Sequence, residues 1–499
     1  MKNNALFRLI KSLSKSEKRY FRLFSNRTME QKERKFLLLF DLLDKQKTYN
    51  EAKVIAKLPG KTSKAQLANI KRHLYKQILT SLRLINTSKQ LEFEIREQID
   101  FANILYNKGM YMDSLHLLER IKNIARDNHQ DILQIEIIHF QKLIESRHIT
   151  RSRRVGKKLE NLLEESEKKS RMAQASSALV SFNIKIHGFY IVHGFAQTKD
   201  DIKALDEAWN ELKPKAYYTE YEDTFFEKAH RIQARMWYRY ILLNFSRALK
   251  HAKRVIAHFD KHEQMKSFDP NFYIRSLYYQ SVFYFLLKDA VGYKKTLEEM
   301  NNHILKTKAD YSPIHHQVAF VYQNLGQLNY WLLLKNFSKA NDCGDKISNK
   351  LSHFKNNIDA HRVLLFNYKF ATITFALKKY DRALDYLRPL LHHRENILRK
   401  EMDINARLLE LMCLYETKTF DLMESRLAAL GRSLSKVAKP ARLQHATKHL
   451  MRDLIKVRHP EQEKALLEKH IAIFNAYKDQ PREQLFLSYL DVLGWIEEK

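Results

Sequence analysis

Apolar positions along this chain recur at intervals of three and four residues, the period of a helix face. In "QLANIKRHLYKQILTSLRLI", Leu67, Ile70, Leu74, Ile78, Leu82 and Ile85 form one such stripe. Helix starts are marked as well. Ser14 with Glu17, and Ser63 with Gln66, are capping boxes, and Asn50 is suited to cap a short helix "NEAKVIAKL" that stops at Pro59-Gly60. "SLSKSEKRYFRLF" and "KERKFLLLFDLLDK" complete a set of four helices before residue 90. At the other end, Pro481 fits a first helical position and sets Leu485, Phe486, Tyr489, Leu490 and Leu493 at helical spacing.

Between these ends the pattern repeats. "ILYNKGMYMDSLHLLERI", "YILLNFSRALKHAKRVI" and "TFALKKYDRALDYLRPLL" each read as an apolar helix, a short polar turn, an aromatic, and a small residue three positions later. Anchored on that aromatic, the units fall at Tyr111, Phe245, Phe337, Tyr380 and Phe420, with Ala290 at the matching place of "LLKDAVGYKKTL". From 245 onward the intervals are 45, 47, 43 and 40 residues. The 134-residue gap from 111 to 245 is close to three intervals, and weaker turn points near Val155 and Ile202 divide it. About eight helical hairpins are therefore expected. The small residues Ser114, Ala248, Ala340 and Ala383 let two helices approach closely, and each pair needs the next to bury its remaining apolar face.

This pattern resembles the tetratricopeptide-repeat family, and "NKGMYMDS" carries its turn glycine, aromatic and small residue as Gly109, Tyr111 and Ser114. The likeness covers roughly residues 95 to 435; the spacing exceeds the family's usual period, and the first-helix Trp and Gly are mostly missing. What it implies is an all-α chain wound as a right-handed superhelix of antiparallel pairs, a non-enzymatic scaffold with a concave face for a protein or peptide partner. The family's peptide-gripping residues have no recognisable counterparts. The expected organisation is a basic helical domain at 1–90, the repeat array at 91–435, and C-terminal helices with a terminal cap at 436–499.

Composition agrees. Only 10 Gly and 8 Pro in 499 residues leave few tight turns, which disfavours a sheet protein. Cys343 and Cys413 form no framework or zinc motif, and no apolar run reaches membrane-spanning length. The expectation is a cytoplasmic protein without a cofactor.

The net charge of +31 adds a second theme, since residues 1–90 hold 22 Lys or Arg against 6 Asp or Glu. Such a field attracts polyanions. Within it, "LPGKTSK" contains the Gly-Lys-Thr of a phosphate-binding loop, but Ile55 stands where that loop needs its first glycine and the preceding residues are helical. The segment instead reads as the turn of a helix-turn-helix whose second helix presents Lys64, Arg72, Lys76 and Arg83, with Lys71 beside them. A second basic run, "SRHITRSRRVGKKL", supplies Arg151, Arg153, Arg154, Lys157 and Lys158. Two readings stand for this charge: a nucleic-acid-binding regulator or ribosome-associated factor, or a solvated basic surface. Catalytic signatures are missing throughout: no HExxH, GxSxG or GxGxxG occurs, and the pairs His315-His316 and His392-His393 diverge on a helix.

Overall fold

The computed structural model of the protein describes residues 5–28, 34–59, 63–87, 90–148, 158–196, 198–212, 225–354, 358–392, 400–437 and 439–499. Every regular element among them is a helix, as the spacing of apolar positions leads one to expect. None of these helices is long and apolar enough to cross a membrane. The chain divides into two compact units, residues 1–173 and 174–499.

The first unit opens with α1 (Ala5–Ser12), α2 (Lys15–Thr28), α3 (Arg34–Lys45), α4 (Glu51–Lys57) and α5 (Lys64–Thr87). Both capping boxes form. The Ser14 amide donates to Glu17 Oε2 at 2.7 Å and the Glu17 amide to Ser14 Oγ at 3.2 Å; Ser63 and Gln66 exchange the same bonds at 2.9 and 3.2 Å. Asn50 caps α4 through the Lys53 amide. Helix α3 packs on α1, α4 and α5, and the shared core holds Ile10, Phe21, Leu39, Phe40, Leu43, Leu74 and Ile78. Each such side chain removed from water contributes roughly 1.5–3 kcal/mol. Helices α6 (Leu91–Asn107), α7 (Tyr111–Asp127) and α8 (Asp131–Arg147) then pack in sequence, and α9 (Lys158–His193) crosses from this unit into the next.

The second unit continues with α10 (Lys199–Leu212), α11 (Phe225–Ile241), α12 (Phe245–Asp260), the single turn α13 (Gln264–Phe268), α14 (Pro270–Leu286), α15 (Ala290–Thr307), α16 (Pro313–Leu333), α17 (Phe337–Phe354), α18 (Ala360–Ala376), α19 (Tyr380–Leu391), α20 (Lys400–Glu416) and α21 (Phe420–Ser435). All six anchor residues of the sequence pattern, from Tyr111 to Phe420, are the first residue of a helix. The small residues three positions on, Ser114, Ala248, Ala340 and Ala383, are fully buried. Ser114 also donates its hydroxyl to the Ala102 carbonyl of the preceding helix at 2.8 Å. Beyond the pairs themselves, the first helices pack on one another: α14 on α16, α16 on α18, α18 on α20.

The turn inside each pair has one construction. Two residues before the anchor the backbone takes positive φ: Gly109 at 78°, Leu243 at 57°, Lys288 at 56°, Lys335 at 52°, Lys378 at 59° and Lys418 at 56°. The next amide reaches back five residues, as from Asn336 to the Trp331 carbonyl at 2.9 Å, and the turn residue's own amide reaches back three, as from Lys335 to Leu332 at 3.0 Å. These are the two bonds of a Schellman motif, which satisfies the last carbonyls of the first helix. Glycine is the usual occupant, and four of the six turns use lysine instead. A cation there lies at the negative end of the helix dipole.

After α21 the chain forms α22 (Arg442–Leu454), which packs on α20 and α21, and α23 (Pro460–Tyr477), which packs on α22. The last stretch, α24 (Pro481–Tyr489) and α25 (Val492–Glu497), is where a terminal cap is expected from the sequence. Helix α24 touches α14 as well as α22, and Leu485 joins the cluster of Phe182, Tyr190, Trp237, Tyr240 and Phe283. Phe486, Leu490, Val492, Trp495 and Ile496 meanwhile belong to the cluster of α18 to α23. Apolar spacing reveals which side chains are buried, but it carries no information about what they are buried against.

Candidate functional site

Two surfaces gather charge, one in each unit, and the basic residues that the sequence points to belong to the first. In the first, the buried face of α5 carries Leu67, Leu74, Ile78 and Ser81, so Arg72, Lys76 and Arg83 emerge on the opposite, exposed side. Lys64 is exposed in the first turn, off that line. Lys71 is committed elsewhere. Its ammonium bonds Glu51 Oε2 and the Tyr49 hydroxyl and stands 5.1 Å over the Tyr49 ring, tying α5 to the entry of α4. Its bonds to Glu51 and Tyr49 hold the ammonium charged, against the desolvation that burial brings. Gly60, Lys61 and Thr62 of the phosphate-loop look-alike lie outside the described residues, as do Arg151, Arg153, Arg154 and Lys157; Lys158 is the first residue of α9.

The second surface is in the unit of residues 174–499, where α24 and α25 lie along the first helices of several pairs. The segment is held by its ends and its middle. At the start, the buried Glu483 carboxylate accepts the Arg442 and Leu443 amides at 2.9 and 3.0 Å, an anion on the N-terminus of α22. In the middle, the Tyr368 hydroxyl donates to the Tyr489 carbonyl at 3.0 Å. At the end, the Trp495 indole N–H donates to Glu416 Oε1 at 2.6 Å, and Lys499 pairs with the same carboxylate at 2.9 Å.

A groove of about 640 Å³ runs beside this segment. Its lining includes the turn lysines Lys288, Lys335 and Lys378, the carboxylates of Asp491, Glu497 and Glu498 with Lys478 and Lys499 near them in sequence, and the apolar Phe285, Leu333, Phe375 and Leu493. Lys335 reaches across to Asp491 at 2.8 Å; that bond, with the charges of Asp491, Glu497 and Glu498, pushes its ammonium pKa up. A second cavity, of about 50 Å³, is bounded by Phe195, Glu401, Lys439, Arg482 and Phe486. Burial there pulls the Arg482 guanidinium down, opposed by the charges of Glu483, Glu401 and Asp201.

The sequence reading does not single out Lys288, Lys335 and Lys378. A signal for them exists: "LLKDA", "LLKNF", "LKKY" and "TKTF" each place lysine two residues before the anchor. The aromatic-rich stretches of α11 and α14 are packing residues, with Trp237, Tyr240, Phe272, Tyr273 and Phe283 all buried. His187 stacks on Trp237 at 4.3 Å, and His315 and His316 both meet the edge of Tyr311. Among the described residues no three His, Cys, Asp or Glu side chains come together as a metal site would require. No protein-family model matches the sequence, and a search of curated proteins found none that matches.

Proposed function

We propose that the helix pairs form a right-handed, tetratricopeptide-like superhelix of about eight units, and that the chain is a non-enzymatic scaffold binding a protein partner on the concave face made by the first helices. One observation carries this reading: the chain's own Pro481–Tyr489 and Val492–Glu497 lie as short helices against α14, α18 and α20. A surface that seats these two segments by apolar side chains and a few backbone and carboxylate bonds has the chemistry to seat another along the same wall. The test is isolation of the full chain from its own cells, with nuclease treatment, followed by cross-linking and mass spectrometry. The expected result is a protein partner cross-linked within residues 225–499. Turnover of a small substrate by the isolated chain, with no partner retained, overturns the proposal.

A second reading rests on the exposed stripe Arg72, Lys76 and Arg83, which faces away from the bundle core and carries like charges four residues apart. Repulsion of that kind is relieved by an anion. On this reading the first unit contacts a nucleic-acid backbone, and its binding to duplex or ribosomal RNA weakens steeply with salt. Reversal of Arg72 and Lys76 to glutamate abolishes that binding if the reading holds, and leaves it unchanged if it does not.

A further inference from the structure

The repeated turn sets lysines in register. Lys288, Lys335 and Lys378 occupy the same turn position after α14, α16 and α18, and all three are exposed. Those three helices pack directly on one another, which holds neighbouring axes about 8–10 Å apart. The lysines therefore stand as a ladder with rungs at about that distance, each at the carbonyl end of a helix whose dipole favours a cation.

Asp491, Glu497 and Glu498, also exposed, line the same groove, Asp491 bonded to Lys335 and the other two acting on its charge, while Lys499 of this stretch is paired with Glu416. Only the middle rung is met. The Lys335–Asp491 pair leaves its side chains 68 and 49% exposed, and an ion pair in that setting is weak and readily exchanged. Neither Lys288 nor Lys378 has an ion-pair partner among the described residues. The apolar part of the same lining, its floor, is Phe285, Leu333, Phe375 and Leu493. A polyphosphate fits this arrangement poorly, because the acidic rim repels it and the floor offers it nothing. An element with apolar, acidic and basic sides fits all three surfaces.

We propose that the groove seats an amphipathic helix of a partner protein, its apolar edge on the floor, its acidic side toward the lysine ladder and its basic side toward the C-terminal rim. The proposal rests on the scaffold reading above and names the partner's chemistry. A helix rises 1.5 Å per residue, so carboxylates seven residues apart stand about 10.5 Å apart and match consecutive rungs. The same wall already seats the short helices α24 and α25.

The experiment is selection of a random phage-displayed peptide library on the immobilised full chain, followed by fluorescence anisotropy of one enriched peptide in solution. Enriched sequences are expected to carry apolar residues at helical spacing, with Asp or Glu seven apart on one flank and Lys or Arg on the other. Combined Lys288→Glu and Lys378→Glu substitution should weaken the peptide about tenfold or more, with only a small fall in melting temperature from the loss of two cations at helix C-termini. Replacing the peptide's acidic residues by lysine should restore its binding to that variant, which a loss of folding could not produce. Peptides that bind the wild type and the variant equally well overturn the groove assignment but leave the scaffold reading standing. No enrichment over an unrelated carrier protein overturns both.

Discussion

The two units both display basic residues, and they hold them in opposite ways. On α5 the exposed arginines and lysine stand across the helix from the buried Leu67, Leu74 and Ile78, and the apolar side chains exposed on the same helix are single leucines, Leu79 and Leu84. In the array the turn lysines line one groove with apolar side chains and with carboxylates. Isolated positive charge recruits any polyanion, with the steep salt dependence that follows from counterion release. Charge set beside apolar surface and opposite charge demands a ligand with several matched faces, and specificity comes from that matching. Net charge alone does not distinguish the two.

The sharpest way to break this comparison is to remove the internal ligand of the array. Trp495 is buried in the cluster of α18 to α23 and bonded to Glu416. Trp495→Ala should cost about 3–5 kcal/mol and loosen residues 364–496, while hydrogen exchange in α1 to α5 stays as in the wild type. Equal loosening of both units would show that the C-terminal segment is not specific to the array.

Acid distinguishes the units next. Burial, with Arg254, Arg235 and Arg239 nearby, lowers the His251 pKa to about 4, and burial with Lys266 nearby does the same for His303. Both imidazoles stay neutral in the fold down to about pH 4, whereas the unfolded chain takes up protons below the ordinary value of 6.5. Array stability should therefore be full above pH 6.5 and fall as the pH drops toward 4. His251→Gln with His303→Gln should flatten that part of a denaturation series, and an unchanged slope contradicts the assignment.

The turns offer a smaller effect with a definite sign. Gly109 has φ of 78° and open space where a Cβ would be, so Gly109→Ala costs only backbone strain, about 1 kcal/mol. Lys418 holds a similar conformation outside the groove, and Lys418→Gly should gain about 0.5–1 kcal/mol. Calorimetry of both variants checks the pair of opposite shifts.

Much of this architecture is legible in the sequence, for a physical reason. An aromatic at the start of a helix and a small residue one turn later are demanded by close packing within a pair, so Tyr111, Phe245, Phe337, Tyr380 and Phe420 mark helix starts without further information. The capping boxes at Ser14 and Ser63 are local in the same sense. What escapes is non-local. The period cannot say that Leu485 joins the cluster of Trp237 and Tyr240, about 250 residues earlier, nor that Lys71 is bound to Glu51 instead of standing with Arg72 and Lys76. The turn lysines escape for a different reason: an expectation of glycine at positive φ hides a recurring lysine in the same place.

The smallest expected effect is on α5. Arg72→Glu with Lys76→Glu alters two exposed side chains with no buried partner and should change stability by no more than about 0.5 kcal/mol. Any loss of nucleic-acid binding is then a direct effect on the surface.

The central claim is that the array, not the basic bundle, is where the partner docks. Hydrogen–deuterium exchange of the full chain, with and without a peptide enriched by selection, tests it most directly. The account predicts new protection at the turns around Lys288, Lys335 and Lys378 and in Asp491 to Lys499, with α5 unchanged. Protection confined to Lys64–Thr87 would contradict it.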